Sequence, residues 1–291
     1  MRISIVTPSF NQARFIRATI DSVLAQQGDF ELEYRVVDGG SSDGTIEILK
    51  SYGSRLDWIS EPDRGQVDAI NKGLRGLTGD VIAWLNSDDV LLPGALARVT
   101  AAFREHPATE WVHGRCVIID EHDQTVRRWV SAYKHFRSRH HSFENLLTEN
   151  YVSQMTAFWR RSLHNEIGYI DPSVRLAFDY DFFLRLAKRG DPFYIEEPIA
   201  CFRWYAESKS GGGFVAQMRE TNELARRYRS NPWTRVRARV KKIGIINVYR
   251  ALALTRALLH ASGARTPKQS PTTPPANADS SETSERARTT G

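Results

Sequence analysis

Three carboxylates stand where strand-like runs end, and that placement is the first chemical signal in the chain. Asp38 follows the apolar run RVV, and Asp88 and Asp89 follow VIAWLNS. In an open parallel sheet, ligands sit in the crevice beyond the carboxyl ends of the strands, so acids at neighbouring strand ends converge there. Carboxylate oxygens in that arrangement suit a hard divalent cation. Such a cation would neutralise charge on a departing diphosphate. An isolated Ser-Asp-Asp is equally the signature of a turn or a helix cap, so the elements around these residues decide between the two.

Those elements alternate. RISIVT (2–7) reads as a buried strand, and 12–27 as a helix with Ile16, Ile20, Val23 and Leu24 on one face. YRVVDGG is a second strand, and 42–52 a helix with Ser and Asp at its start. LDWIS is a strand, 66–74 a helix, DVIAWLNSDD a strand, and LLPGALARVTAAFREHP a helix with proline in its first turn. This β-α-β-α order predicts an α/β fold with a doubly wound, mostly parallel sheet. Beyond it, WVHGRCVIID and QTVRRWV read as a hairpin pair, and 131–150 as a mobile basic loop with short helical pieces. Residues 158–168 and 179–189 read as helices, PFYIEEPIACFRWY as strand, and 214–260 as largely helical.

The bulk composition sets limits. With 291 residues, 41% hydrophobic and 25% charged, the chain can bury one large core. Two distant cysteines exclude a disulfide framework and a zinc knuckle, and fit a reducing, cytoplasmic setting. The N-terminus lacks the pattern of a signal peptide, and no apolar run reaches the length of a membrane span. The net charge of +6 is unevenly placed. Arg226 to Arg256 holds ten basic and no acidic residues, so the body before it is mildly acidic. Arginines preceding the apolar stretch IGIINVYRALALTRALL suit an anionic membrane surface. A helix packed on the domain with a solvated basic face is the alternative. Nucleic acid is disfavoured because RNP and zinc-finger signatures are absent.

Five blocks, in order, resemble the family 2 glycosyltransferases: ISIVTPSFN (3–11), VVDGGSSDGT (36–45), EPDRGQVDAINKGLRGLTGDVIAWLNSDDVLLPG (61–94), QMTAFWRRSLHNEIGYIDPSVRLAFDYDFFLRLAKRG (154–190) and FRWYAESKS (202–210). The resemblance spans residues 2 to about 210. It implies a GT-A fold, a nucleotide-sugar donor, inversion at the anomeric carbon, and an acceptor glycan or lipid-linked sugar. Pro8 and Phe10 match positions that pack on the donor base and ribose, and Asp38 a carboxylate that hydrogen-bonds the base. Asp88 and Asp89 match the metal and ribose end of the DXD-type motif, with Mg²⁺ or Mn²⁺ as the cofactor and Asp88 as the main ligand. Asp179 matches the general base, with Asp181 as the alternative. An inverting transfer needs such a carboxylate to take the acceptor's proton, and a helix start keeps it ionised. Asp68, Asn71 and Lys72 match a donor-side block, and Gln154 opens the acceptor half.

Three positions depart from the family pattern: Asn86 for the first DXD acid, Phe178 for the acid before the base, and Tyr205 for a frequent histidine of the closing loop. His135, His140 and His141 have no ligand spacing and read as part of a solvated loop. The resulting organisation is a catalytic domain over 1–223 (donor half to about 115, acceptor half from 116), a basic amphipathic extension over 224–261 and a disordered tail over 262–291. The rival readings are a non-catalytic nucleotide-sugar binder, a nucleotidyltransferase on a related fold, and an RNA-binding module.

Overall fold

A computed structural model describes residues 1–205, 214–228, 232–234, 236–237 and 240, all within one compact unit spanning Met1–Lys242. The apolar part of the C-terminal extension, the tail, and residues 206–213 of the closing loop lie outside the described residues. The order is β1 (Arg2–Ser9), α1 (Ile16–Leu24), β2 (Glu31–Asp38), α2 (Thr45–Ser51), β3 (Asp57–Ser60), α3 (Gln66–Arg75), β4 (Val81–Trp84), β5 (Val90–Leu91), α4 (Ala95–Glu105) and β6 (Trp111–Ile119). There follow α5 (Arg128–Arg139), α6 (Phe143–Leu146), β7 (Phe158–Arg160), α7 (Arg161–Ile167), α8 (Phe178–Arg189), β8 (Phe193–Arg203) and α9 (Phe214–Tyr228). The strands join one sheet in the order β3-β2-β1-β4-β7-β6-β8-β5. Its first four strands are parallel, and β7 runs antiparallel to both neighbours. β6 and β8 are parallel, and β5 closes the edge antiparallel to β8. The sheet is therefore more mixed than the alternation predicts, because the acceptor half enters it through the short antiparallel β7.

The strand order reverses beside β1, with β2 and β3 on one side and β4 on the other. That is the switch point where α/β sheets open a crevice. β1 beyond Arg2 and β4 are buried on both faces, which explains the unbroken apolar run of β4 and the admission of only small polar residues, Ser4, Thr7 and Ser9, among the apolar ones of β1. Behind the crevice, Trp84 meets Trp159 (5.5 Å between ring centres) and Phe182 (5.7 Å) edge-on.

Three expectations change. QTVRRWV is not a strand: only Thr125 bridges back to Ile119, and Arg127 then takes a left-handed conformation (φ 50°) that turns the chain into α5. Residues 131–150 are more helical than a loop with short helical pieces, holding most of the 12-residue α5 and all of α6. Residues 158–160 are strand before α7 begins. The expected boundaries also cut through elements. Position 115/116 falls inside β6, and 223/224 inside α9.

Candidate active site

A cleft of about 600 Å³ opens at the switch point. Its walls come from the end of β1 (Pro8, Ser9, Phe10), the turns after β2 and β3 (Gly39, Asp63, Gly65, Gln66), the end of β4 (Trp84, Asn86, Asp88), and the acceptor half (Gln154, Phe178, Asp179, Tyr205). Of the residues singled out from the sequence, Pro8, Phe10, Asp88, Asp179 and Gln154 line it. Asp38, Asp68, Asn71, Lys72, Asp89 and Asp181 do not, and each has a different occupation, Lys72 pairing with Glu61 at 2.9 Å.

At the nucleotide end, Phe10 is 59% exposed, a high value for an aromatic ring beside a cleft. It is held by the next residue. Asn11 adopts φ 52°, which asparagine tolerates better than most residues, and exchanges hydrogen bonds with the β2–α2 turn. Its N–H donates to Ser41 Oγ (2.7 Å), and its Oδ1 accepts from Ser42 N–H (2.9 Å). Asp38 is fully buried at the centre of that turn. Its Oδ2 accepts from Gly40 N–H (3.0 Å), Ser41 N–H (2.8 Å) and Ser60 Oγ (2.8 Å), and its Oδ1 from Ser41 Oγ (2.5 Å). Its four donors all come from within the protein, and Asp38 is not part of the cleft lining. The acid that does reach the cleft is Asp63, which the sequence reading passed over. Its Oδ1 accepts from Gly65 N–H (2.7 Å), and its Oδ2 lies 2.6 Å from where a Cβ on Gly39 would stand. Gly39 thus clears space for the Asp63 carboxylate. The legible signal was an acid in EPDRG opposite a glycine in VVDGG.

Asp68 and Asn71 on α3 turn away from the cleft. Asp68 accepts from Arg64 N–H (3.1 Å) and neighbours Lys72 (3.8 Å), binding the turn before its own helix. The backbone N–H of Arg64 and the nearby cations lower its pKa. The Asn71 amide is committed at both ends to Ile170, donating to its carbonyl (2.8 Å) and accepting from its N–H (3.1 Å). It ties the two halves together.

The Asp88–Asp89 pair divides its labour. Asp89 is fully buried; Arg203 N–H donates to it (2.9 Å), and Asn86 approaches it at 3.4 Å. Burial and the Asp88 charge push its pKa well up. Asp88 faces the cleft, where Tyr205 donates its hydroxyl to Oδ2 (2.9 Å). Burial and Asp88 raise the phenol's pKa, so Tyr205 stays protonated as a donor. Asn86 Oδ1 accepts from Gln66 (2.8 Å). Among the described residues no group of three or more His, Cys, Asp or Glu could hold a metal ion alone. One cleft carboxylate among hard oxygens still suits Mg²⁺ or Mn²⁺, which binds through one or two carboxylates plus substrate phosphates.

At the other end, Asp179 is the second residue of α8. It does not cap the helix. The N–H groups of Arg175, Leu176 and Ala177 donate instead to Glu220 of α9 at 2.6–3.0 Å. The Asp179 carboxylate accepts from its neighbour Tyr180 N–H (2.8 Å) and lines the cleft. Burial raises its pKa, opposed by the Tyr180 N–H and the Lys134 ammonium. Asp181 points elsewhere, paired with Arg185 at 3.0 Å. Phe178, at the position where the family pattern has an acid, packs against Trp84 (6.5 Å) and fixes the start of α8. Gln154 donates to the Trp84 carbonyl (2.7 Å), leaving a buried Oε1 without a protein partner at the cleft wall. The expectation for the histidines changes too. His141 is mostly buried, edge-on to Trp111 (5.8 Å), and its pKa falls to about 4 through burial. His135 bonds Tyr194 (2.7 Å).

Known proteins resemble this chain. A glycosyltransferase of Mycobacterium bovis named for PGL/p-HBAD biosynthesis is 34% identical over 188 residues, covering 62% of this chain and 68% of the relative. A glycosyltransferase of Mycobacterium tuberculosis is 30% identical over 234 residues, covering 78% and 85%. Among solved structures, residues 1–349 of S. aureus TarS with UDP-GlcNAc superpose with TM-score 0.60 at 19% identity, over 77% of this chain and 66% of that one. The chain spans 39% of a longer TarS structure. The mannosyltransferase PcManGT of Pyrobaculum calidifontis, with GDP-Man and Mn²⁺, gives TM-score 0.53 at 19% identity over 88% and 80%. At that identity the structures speak for the GT-A fold alone. Residues 4–168 match the family described as Glycosyl transferase family 2, and with that match over more than half its length the chain belongs to the family 2 glycosyltransferases.

Proposed function

We propose that this glycosyltransferase moves a sugar from a nucleotide-sugar donor to an acceptor hydroxyl with inversion, in the assembly of a cell-surface glycan or glycolipid. The observation that carries this reading is one cleft joining an exposed aromatic and an acid at its donor end to a carboxylate on the acceptor side. Phe10 offers a face for the donor base, and Asp63 an acceptor for a base N–H. Asp88 lies where the diphosphate would be. A Mg²⁺ or Mn²⁺ ion held by Asp88 and the donor phosphates would neutralise charge on the leaving group. Asp179 takes the proton from the acceptor hydroxyl as its oxygen attacks the anomeric carbon and the bond to the diphosphate breaks. Gln154, with its unmet Oε1, accepts from a hydroxyl of the acceptor and so orients it. The relative named for PGL/p-HBAD biosynthesis and the neighbours carrying UDP-GlcNAc and GDP-Man support the biosynthetic role and the donor class.

The test is a thermal-shift panel of nucleoside diphosphates and nucleotide-sugars, with and without Mn²⁺, since binding to the folded state raises the midpoint. It is followed by NMR of the product's anomeric configuration. A Mn²⁺-dependent shift and an inverted product are expected. Retention of configuration, or pyrophosphate released from a nucleoside triphosphate, would overturn the assignment.

A further inference from the structure

Helix α5 is built inside out. Its buried positions are Arg137 and Ser138, and Arg137 is paired with Glu149 at 2.5 Å. Its exposed positions include Trp129, Tyr133 and Phe136, at 54%, 43% and 56% exposure. Steps of four and three residues put those rings in one stripe along the helix. A surface helix ordinarily turns its apolar stripe to the core, so this reversal leaves three aromatic rings in water. At about 200 Å² each, the uncovered area is on the order of 300 Å², the size at which an exposed patch is often functional. Trp233, Val236 and Val240 form a second exposed set at the same spacing. They are tied to the region just after α5 by Thr234 Oγ1 donating to Glu144 and by Arg237 donating to Asn145 Oδ1 (3.0 Å).

The charges around both stripes identify what covers them. On the outer side of α5 stand the exposed Arg128 and Arg139, the latter paired with Glu196 (3.1 Å), and Arg127 precedes the helix; α5 itself has no acid, and its Lys134 and Arg137 turn inward. Arg235, Arg237, Arg239, Lys241 and Lys242 surround the second stripe in sequence, again without an acid. Tryptophan and tyrosine, with apolar bodies and polar edges, favour the headgroup level of a bilayer, and arginine stems can lie along apolar surface with their heads in water. At 12 residues α5 is about 18 Å long, and no helix of the described residues is long and apolar enough to cross a membrane. We propose that the outer face of α5, with Trp233, Val236 and Val240, lies flat on a bilayer bearing anionic headgroups.

This proposal does not depend on the donor or on inversion, so its test separates from theirs. The full chain is sedimented with phosphatidylcholine vesicles, with and without phosphatidylglycerol, at low and high salt. A double variant, Trp129→Ala with Phe136→Ala, is run beside it; Tyr133 is spared because its hydroxyl bonds Glu149. Binding to the anionic vesicles that weakens with salt is expected, with a loss of about tenfold or more in the variant. The variant's thermal midpoint should stay unchanged. In vesicles with brominated acyl chains, Trp129→Phe should remove part of the tryptophan quenching. Absence of vesicle binding, or undiminished binding by the variant, overturns the proposal. So does a variant whose only change is loss of self-association, which would make the stripe a contact between copies.

Discussion

Replacing Asp38 by asparagine separates two roles for this acid. If Asp38 contacts the donor base, Asp38→Asn weakens nucleotide binding and leaves the fold alone. The geometry predicts the reverse. Three hydrogen bonds converge on Oδ2, from Gly40 N–H, Ser41 N–H and Ser60 Oγ, while Oδ1 receives only the Ser41 hydroxyl. An asparagine can keep its single oxygen at the Oδ2 position and let the Ser41 hydroxyl rotate to accept from its amide. The partners survive but the charge does not. Bonds to a charged group contribute about 1.5–3 kcal/mol and neutral ones about 0.5–1.5, so three weakened bonds cost about 3 kcal/mol. For a domain of this size that lowers the thermal midpoint by about 6–12 °C. Urea denaturation measures the free energy and calorimetry the midpoint. Titration with a nucleoside diphosphate, well below the midpoint, reports the site. An Asp38→Asn variant as stable as the parent but unable to bind nucleotide would refute the reasoning and return Asp38 to the base.

Other substitutions test the rest of the cleft. Asp179→Asn should lower turnover by roughly 10²–10⁴-fold with donor binding retained. Asp181→Asn should instead lose about 1–3 kcal/mol of stability from its Arg185 pair, seen in urea melts, with turnover nearly unchanged. Because burial raises the Asp179 pKa, the base is ionised only above that raised value. The acid limb of kcat should therefore fall at a pH above the ordinary carboxylate range, and Lys134→Gln should move it higher still, read from kcat–pH profiles. Asp88→Ala should erase the difference between donor affinities measured with and without Mn²⁺. Gly39→Ala places a methyl against the Asp63 carboxylate and should weaken nucleotide binding about as much as Asp63→Ala does, measured by calorimetric titration.

The donor half was legible because local rules built it. Buried parallel strands gave short, mostly apolar runs, and the acids fell at strand ends. Membership of the family could be read from five ordered blocks. What each acid does could not. Asn71 matched a donor-side block, and nothing local in the sequence pointed to its partner, Ile170, 99 residues away. Asp89 and Asp88 are adjacent in sequence, yet one is buried against Arg203 and the other faces the cleft. α5 escaped because its helical period was sought in inward-facing apolar residues, and its aromatics point out. The false strand in QTVRRWV followed from β-branched and aromatic residues that the left-handed turn at Arg127 diverts into a helix.

The Glu220 clamp changes what the C-terminal helix is for. α9 contributes little to the walls of the cleft beyond Gln217, and a sequence boundary drawn at 223 treats its end as the start of an appendage. Yet one of its carboxylates, Glu220, gathers the N–H groups of Arg175, Leu176 and Ala177, the three residues that lead into α8. Each such bond to a charged group is worth about 1.5–3 kcal/mol, comparable to a sizeable share of a domain's whole stability. Part of the free energy that holds the entry to α8 is thus lodged in a segment that follows residues 206–213 in the chain. On the proposed mechanism, a cut in that connection should slow transfer more than it weakens donor binding, because it loosens the wall that carries Asp179 and spares the nucleotide end.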